Sequence, residues 1–290
     1  MNRRKSQKIK SKRSKGNVYK KHFWRIILMK KILIVEGNLQ EENQSFSEAG
    51  IQTHTESLKD SLAYFTDKLE THVVNPSSDE NTDKNIDALE SYDGLIWGGS
   101  SLNIYNNTPE IKRQVEFMKE CQKKIKKILA ICWGMQVAVT AAGGEVKKCT
   151  KGSHRGIASN IEINENGLNH PLYKNKNQKF NTPAFNFDEV VRMPENSILL
   201  ASNSINKVQG INFKVGNCNI WGLQYHPEIT YNKMINLIIF RKKRLLEKGA
   251  FKDENEIDNH IKHIENENNK LDKVSRMREL ENWLDHLNLE

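Results

Sequence analysis

Cys132 lies at the junction between an apolar strand and a helix. Residues 128–131 form a short apolar run of the kind that a buried parallel strand shows, and small residues, Ala130 and Gly134, flank the cysteine closely enough to permit a sharp turn. This pattern is typical of a nucleophile elbow, where the helix dipole favours the thiolate. The same residues are equally compatible with a buried structural cysteine, because free cysteine is among the most buried residue types.

The segment 222–228 supplies a base and a group to orient it. On extended backbone, positions i and i+2 face the same side, so His226 and Glu228 share a face while Pro227 restricts the backbone between them. Glu228 can accept a hydrogen bond from one imidazole nitrogen while the other nitrogen faces Cys132. A surface histidine beside an unrelated glutamate is the alternative interpretation, which the upstream elbow disfavours.

The elements that must position these groups alternate between strand and helix. Strands are predicted at 32–35, 71–75, 92–97, 128–131 and 220–225, helices at 40–50, 56–69, 109–126 and 135–142, and a β-rich region at 145–219. This order predicts an α/β fold with a doubly wound, mostly parallel sheet flanked by helices. Active sites in such sheets lie outside the carboxyl ends of the strands.

The chain is predicted to have three segments: residues 1–28, a domain at 29–230 and a helical extension at 231–290. Helices are predicted at 233–248, 253–270 and 274–287. The last of these carries an apolar stripe that we expect to pack against the domain, formed by Met277, Leu280, Trp283, Leu284 and Leu287.

The positive net charge of the chain arises in the first 30 residues. They contain twelve Lys or Arg and no Asp or Glu, so the formal net charge of +9 for the whole chain becomes −3 for residues 31–290. Residues 1–28 are predicted to be a disordered basic tail, and three interpretations of it stay open: an arm that binds nucleic acid, an organelle-targeting peptide, or an extension upstream of a start at Met29. The third is favoured, because the domain begins directly after Met29.

Several classes of protein lack support in the sequence. The four cysteines, at 121, 132, 149 and 218, show neither a paired framework nor zinc-ligand spacing, which favours a cytoplasmic protein without disulfides or a metal site. No run approaches the roughly 18 apolar residues needed to span a bilayer. Neither a GxGxxG motif nor a P-loop occurs, so no cofactor is predicted.

Three motifs together resemble the class I (triad-type) glutamine amidotransferases, and within them stand-alone proteins similar to the glutaminase domain of GMP synthase. Cys132-Trp133-Gly134-Met135-Gln136 matches the C-x-G-x-Q elbow, Tyr225-His226-Pro227-Glu228 the H-P-E motif, and Trp97-Gly98-Gly99-Ser100 the glycine-rich oxyanion loop. The resemblance covers roughly residues 31–230 and implies a flavodoxin-like fold.

The resemblance also implies roles for individual residues. It makes Cys132 the nucleophile, His226 the base and Glu228 the orienting acid, in a reaction that passes through a cysteinyl thioester. It makes the backbone N–H groups of Gly99 and Trp133 the oxyanion hole. The residues that it implies for substrate binding are Gly98, Gln136 and, more weakly, Arg155 in the 152–156 loop.

Two departures from the family pattern stand out. Ala130 replaces a glycine that is usual in the elbow, and Asn186 replaces a histidine that many relatives have, whereas Asp188 is retained. In GMP synthase the region of Asn186 faces the synthetase, so its substitution puts that kind of coupling in doubt.

The leading hypothesis is an enzyme that hydrolyses the side-chain amide of glutamine or of a γ-glutamyl compound. It would release ammonia or an amine, either by itself or for a separate synthetase or acceptor subunit. The alternative is a catalytically silent homologue that acts as a scaffold or regulator. Binding of nucleic acid would rest on residues 1–28 alone, and no membrane partner is expected.

Overall fold

A computed structural model describes residues 29–78 and 86–288; the basic tail predicted at 1–28 lies outside the described residues. The strands are β1 Lys30–Val35, β2 Leu69–Val74, β3 Gly94–Trp97, β4 Lys127–Ile131, β5 Glu145–Lys148, β6 His154–Ile163, β7 Lys179–Asn186, β8 Asp188–Arg192, β9 Ile198–Ser202, β10 Gly210–Val215 and β11 Cys218–Leu223. The helices are α1 Gln40–Glu48, α2 His54–Phe65, α3 Pro109–Lys124, α4 Trp133–Ala141, α5 Glu165–Leu168, α6 Tyr231–Phe240, α7 Lys242–Glu247, α8 Glu254–Asn268, α9 Lys273–Arg276 and α10 Arg278–Leu287.

A central sheet of nine strands has the order β2-β1-β3-β4-β11-β10-β9-β6-β7, and β5 pairs separately with β8. The pairs from β2 to β11 are parallel, and the pairs from β11 to β7 are antiparallel. The α/β fold with flanking helices is therefore confirmed, in a sheet that is parallel in one half only. Only two residues separate β10 from β11, and Gly216 in that turn has φ +56°, which suits a hairpin and hence antiparallel pairing.

Several helices have other bounds than the sequence predicted, and the one predicted at 274–287 is divided at Met277 into α9 and α10. The helix predicted at 56–69 begins at His54, where Thr53 and Glu56 form a capping box, and ends at Phe65. Its last predicted residue instead begins β2, because pairing with β1 satisfies the backbone there. The helix predicted at 233–248 is divided at Arg241 into α6 and α7.

The apolar stripe near the C-terminus packs against the sheet as expected. All five stripe residues are buried, and they belong to one cluster with Ile32, Ile96 and Leu129 of the parallel strands. The packing is close at Gly94, where a Cβ atom would lie 2.7 Å from Leu287 Cδ2. α3 and α4 contribute to a second cluster that also includes residues of β1, β3 and β4.

Over residues 29–78 and 86–288, no helix is both long and apolar enough to cross a membrane.

Candidate active site

Cys132 occupies a strained turn between β4 and α4. Its backbone has φ +52° and ψ −104°, a region that residues other than glycine rarely adopt, and its N–H donates to the carbonyl oxygen of Leu223 at 2.6 Å. Gly134 makes the turn possible, because a Cβ atom there would lie 2.4 Å from the carbonyl oxygen of Trp97. The thiol is thereby held at the carboxyl end of β4, between β3 and β11.

His226 lies between the thiol and a carboxylate. Its Nδ1 is 2.7 Å from Glu228 Oε1, its ring also contacts the Cys132 thiol, and both His226 and Glu228 are almost fully buried. Burial by itself lowers the pKa of His226, but the negative charges of Glu228 and Cys132 outweigh it and raise the pKa to about 10. The arrangement therefore favours the imidazolium form of His226.

The segment that carries Glu228 is held from two sides. Ser61 Oγ of α2 donates to the carbonyl oxygen of Glu228 at 3.1 Å. Arg276 of α9, itself buried, donates to the carbonyl oxygens of Pro227 and Ile229, the latter at 3.0 Å. Backbone groups on both sides of the acid are thus satisfied by side chains that come from distant parts of the chain.

A second buried network of hydrogen bonds and charges holds Tyr225, the residue before His226. Tyr225 Oη donates to Glu279 Oε1 of α10 at 2.6 Å, and Lys176 Nζ lies 3.0 Å from the same carboxylate oxygen. The side chains of Lys176 and Glu279 are 2% and 0% exposed, so the pair is shielded from water and counterions. The helices after Ile229 therefore contact the backbone or side chains on both sides of His226.

The backbone N–H groups of Gly99 and Trp133 have no hydrogen-bond acceptor within residues 29–78 and 86–288. The N–H of Gly98, by contrast, donates to the carbonyl oxygen of Val35 at 3.1 Å. Trp133 is fixed through its indole, which donates to Gln114 Oε1 at 2.6 Å. Gly99 and Trp133 are therefore available as donors for a developing oxyanion.

Gln224 contacts the thiol directly, although our sequence-based prediction assigned it no role. Its Nε2 lies 3.5 Å from Cys132 Sγ, and its Oε1 lies 3.4 Å from Nε2 of Gln136. The signal was present: Gln224 and His226 are two positions apart, the same spacing that placed His226 and Glu228 on one side.

His54 packs against His226, although the sequence analysis did not single it out. Its ring stacks on His226, with centroids 5.4 Å apart and planes at 19°. Burial, followed by the charges of Lys233, His226 and Arg241, holds the pKa of His54 well below its usual 6.5, so this ring is neutral at neutral pH. His54 can therefore pack on the imidazolium without adding a second positive charge.

Ligand atoms of His54, His226 and Glu228 lie within 4.8 Å of one another, close enough to be tested as a metal site. Nearly parallel stacked rings, however, keep the lone pairs of their nitrogens in nearly parallel planes, which does not favour their meeting at one metal ion. His226 Nδ1 is moreover already paired with Glu228. The geometry favours a hydrogen-bonded triad over a metal centre.

A cleft of about 210 Å³ opens above the thiol. It is bounded by residues 100–105, the elbow with Gln136, residues 185–188 and residues from 241 to 248. Within it, Asp188 accepts hydrogen bonds from Asn103 at 2.7 Å and Tyr105 at 3.0 Å. Burial raises the pKa of Asp188, against the effects of these donors and of the charge on Lys148.

Two other residues singled out in the sequence have different surroundings. Asn186 also borders the cleft, where His154 Nδ1 lies 3.0 Å from its Oδ1 and its Nδ2 donates to Asn206 Oδ1 at 3.0 Å. Arg155 is not a cleft residue: its guanidinium lies over the ring of Phe251, 4.2 Å from the centroid.

Comparison with known proteins finds γ-glutamyl hydrolases, γ-glutamyl peptidases and GMP synthase subunits among the proteins similar to this chain. The chain is 29% identical over 280 residues to the γ-glutamyl-L-1-hydroxyisopropylamide hydrolase of Pseudomonas sp., and the match covers 89% of this chain and 92% of that protein. It is 30% identical over 152 residues to γ-glutamyl peptidase 4 of Arabidopsis thaliana, covering 52% of this chain and 59% of that protein. A glutamine-hydrolysing GMP synthase subunit from Sulfolobus acidocaldarius is 29% identical over 152 residues, which are 52% of this chain and 75% of that protein.

A solved glutamine amidotransferase from Thermotoga maritima has the same fold. It superposes with a TM-score of 0.62 over 90% of this chain and 99% of its own, at 17% identity. The family model for class I glutamine amidotransferases matches residues 51–244, which include the elbow, the oxyanion loop and the His226–Glu228 segment. The chain therefore belongs to the class I glutamine amidotransferase family.

Proposed function

We propose that this protein hydrolyses the side-chain amide of a γ-glutamyl compound through a thioester on Cys132. The observation that carries the proposal is the continuous contact from the Cys132 thiol through His226 to Glu228, at a strained elbow with two available N–H donors beside it. A structural cysteine would need neither a charged partner nor a strained backbone.

The reaction begins with attack of the Cys132 thiolate on the amide carbon, which forms a C–S bond and places negative charge on the amide oxygen. The N–H groups of Gly99 and Trp133 would stabilise that charge, and the loss of one such donor typically lowers turnover by about 10²–10³-fold. His226, protonated on the nitrogen that faces the thiol, gives its proton to the departing nitrogen as the C–N bond breaks.

The second half of the reaction uses the same groups in reverse. His226, now neutral, accepts a proton from water as the water attacks the thioester carbon. The C–S bond breaks, the glutamyl product leaves with a free γ-carboxylate, and the thiolate–imidazolium pair is restored. Glu228 keeps Nδ1 protonated and the ring oriented in both halves.

The substrate would enter through the cleft, with its glutamyl group near the elbow. Gln136 lines the cleft beside the elbow, and Asp188 supplies a carboxylate for the α-ammonium group. We assign Gly98 no contact with substrate, because its N–H donates to Val35 and its carbonyl oxygen accepts from Gly134. We do not assign Arg155 a contact with substrate, because it lies over Phe251.

We propose that the enzyme acts on γ-glutamyl amides without a synthetase partner. The Pseudomonas hydrolase matches 89% of this chain, whereas the Sulfolobus GMP synthase subunit matches 52%. Similarity to the latter supports a second candidate, the supply of ammonia to a separate synthetase. A silent scaffold is disfavoured, because a site without catalysis has no need of a buried charged triad.

Purified protein should release ammonia from glutamine, or an amine from substituted γ-glutamyl amides, without any partner, and Cys132→Ala should abolish the release. Cys149→Ala is the matched control, because Cys149 is also buried but its thiol contacts the carbonyl oxygen of Ile205, not the triad. Activity that appears only after a synthetase is added favours the second candidate. Activity that survives in Cys132→Ala contradicts the mechanism.

A further inference from the structure

One wall of the cleft carries two positive charges on the same helical face. Arg244 of α7 and Lys248 at its C-terminal cap are four positions apart, and both line the cleft together with Leu245. Like charges at this spacing destabilise a helix. One position earlier along the same helix, the exposed Lys243 is 3.9 Å from Glu247, so this outward pair has opposite charges.

Neither cation in the wall has an acidic partner in the part of the chain that the structure describes. Arg241, which also lines the cleft, differs in this respect, since it is 2.6 Å from Glu42. A single cation on any side of α7 would be enough to stabilise the negative end of its helix dipole, so that role does not require cations facing the cleft. Arg244 and Lys248 thus provide a charge that the fold itself does not use.

The cleft is positive although the chain around it is not. Among the described residues, its charged lining consists of four cations, Lys148, Arg241, Arg244 and Lys248, and one acid, Asp188. Residues 31–290 as a whole carry a net charge of −3. Positive charge concentrated in a cleft of an acidic protein attracts anions to that cleft.

A γ-glutamyl head group accounts for only part of this charge. The head group is a zwitterion, and Asp188 and Lys148, which are register partners in the pairing of β5 with β8 and both line the cleft, supply one charge of each sign for it. Arg244 and Lys248 lie on a different element and remain for a second anionic group. The only other part of the substrate is the amine that leaves.

On the basis of the proposed function, we infer that Arg244 and Lys248 bind a carboxylate on the amine portion of the substrate. The preferred substrates are then γ-glutamyl amino acids or peptides, in which the departing amine carries an acid, over glutamine or neutral γ-glutamyl amides.

The test compares γ-glutamylglycine with γ-glutamylglycinamide, which differ only in that a carboxamide replaces the carboxylate of the leaving amine. The wild-type enzyme should prefer the acid by about tenfold or more in kcat/KM, chiefly through KM. The double variant Arg244→Gln/Lys248→Gln should lose this preference, because its kcat/KM for the acid falls to about the value for the amide. Lys243→Gln, on the outward face, should keep the preference.

Binding of the same two compounds to Cys132→Ala, measured by calorimetry, tests the subsite without catalysis. Cys132→Ala should bind γ-glutamylglycine more tightly than γ-glutamylglycinamide, and this difference should be lost when Arg244→Gln and Lys248→Gln are added. That result supports the subsite even if the wild-type enzyme shows no hydrolysis. Absence of hydrolysis would refute the proposed function alone. Equal affinity for the two compounds overturns the inference. An equal loss for both compounds in the double variant also overturns it, because the cations would then serve the shared α-carboxylate.

Discussion

Replacement of Arg276 by Met should uncouple the C-terminal helices from the segment that carries Glu228. The Arg276 guanidinium donates to the carbonyl oxygens of Pro227 and Ile229, and the residue is 5% exposed. Methionine fills much of the same volume but donates no hydrogen bond. Two buried carbonyl groups would then lack a donor.

The expected cost follows from those two groups. A buried polar group without a partner costs about 1–3 kcal/mol, so the free energy of unfolding should fall by roughly 2–6 kcal/mol. That is a large share of the roughly 5–15 kcal/mol by which folded proteins are typically stable. kcat should fall more than KM changes, because Arg276 is not a cleft residue and acts through the position of Glu228.

Urea unfolding followed by tryptophan fluorescence, together with steady-state kinetics, would measure both effects. Arg276→Lys should lose less than Arg276→Met, because one ammonium can still donate to a carbonyl. Arg278→Met is the control: Arg278 pairs with Glu281 within one helical turn, a contact worth about 0.2–0.5 kcal/mol. If Arg276→Met and Arg278→Met are equally stable and equally active, the anchoring role of Arg276 is refuted.

Three further predictions concern groups beside the base. Gly99→Ala should lower kcat more than Gly98→Ala, because a Cβ atom at Gly99 would lie 2.8 Å from His226 Cε1 whereas the nearest described atom to one at Gly98 would lie 3.7 Å away; equal kinetics for the two variants would contradict this. The pKa of His226 is raised from 6.5 to about 10, so its protonation stabilises the folded state fully below pH 6.5 and this contribution is lost as the pH rises to about 10. Glu228→Gln should flatten that decline in urea unfolding, and an unchanged pH profile would refute the charge pairing. The pKa of His54 is lowered well below 6.5, so stability should fall as the pH drops below 6.5, and His54→Phe should weaken this fall. An unchanged fall in His54→Phe would contradict a neutral His54 ring in the folded protein.

The elements nearest the chemistry could be predicted because their signals are local. The elbow, the His226-Pro227-Glu228 segment and the paired glycines each lie within a few residues, and the alternation of strands and helices placed the elbow strand beside the final strand. The antiparallel half of the sheet was harder to predict, because the β-rich region 145–219 gives no local signal for strand order. The end of the helix predicted at 56–69 depended on pairing between β2 and β1.

The residues that hold the site in place could not be predicted, because their contacts are distant in sequence. Arg276 and Glu279 were visible only as part of a helix whose apolar stripe was expected to pack, and their buried partners at 227, 229 and 225 are set by the fold. For His54, likewise, the only local signal in the sequence was the helix cap at Thr53 directly before it. The weak expectation for Arg155 had no local signal that could have placed it over Phe251.

The thioester on Cys132 can be observed by mass spectrometry of the acyl-enzyme. The protein is mixed with a γ-glutamyl amide, the reaction is stopped in acid during turnover, and the peptides are searched for a γ-glutamyl thioester. We predict the adduct on Cys132, lost in His226→Ala. An adduct on Cys121, Cys149 or Cys218, or turnover without any cysteine adduct under conditions that trap thioesters, would contradict catalysis by the Cys132–His226–Glu228 triad.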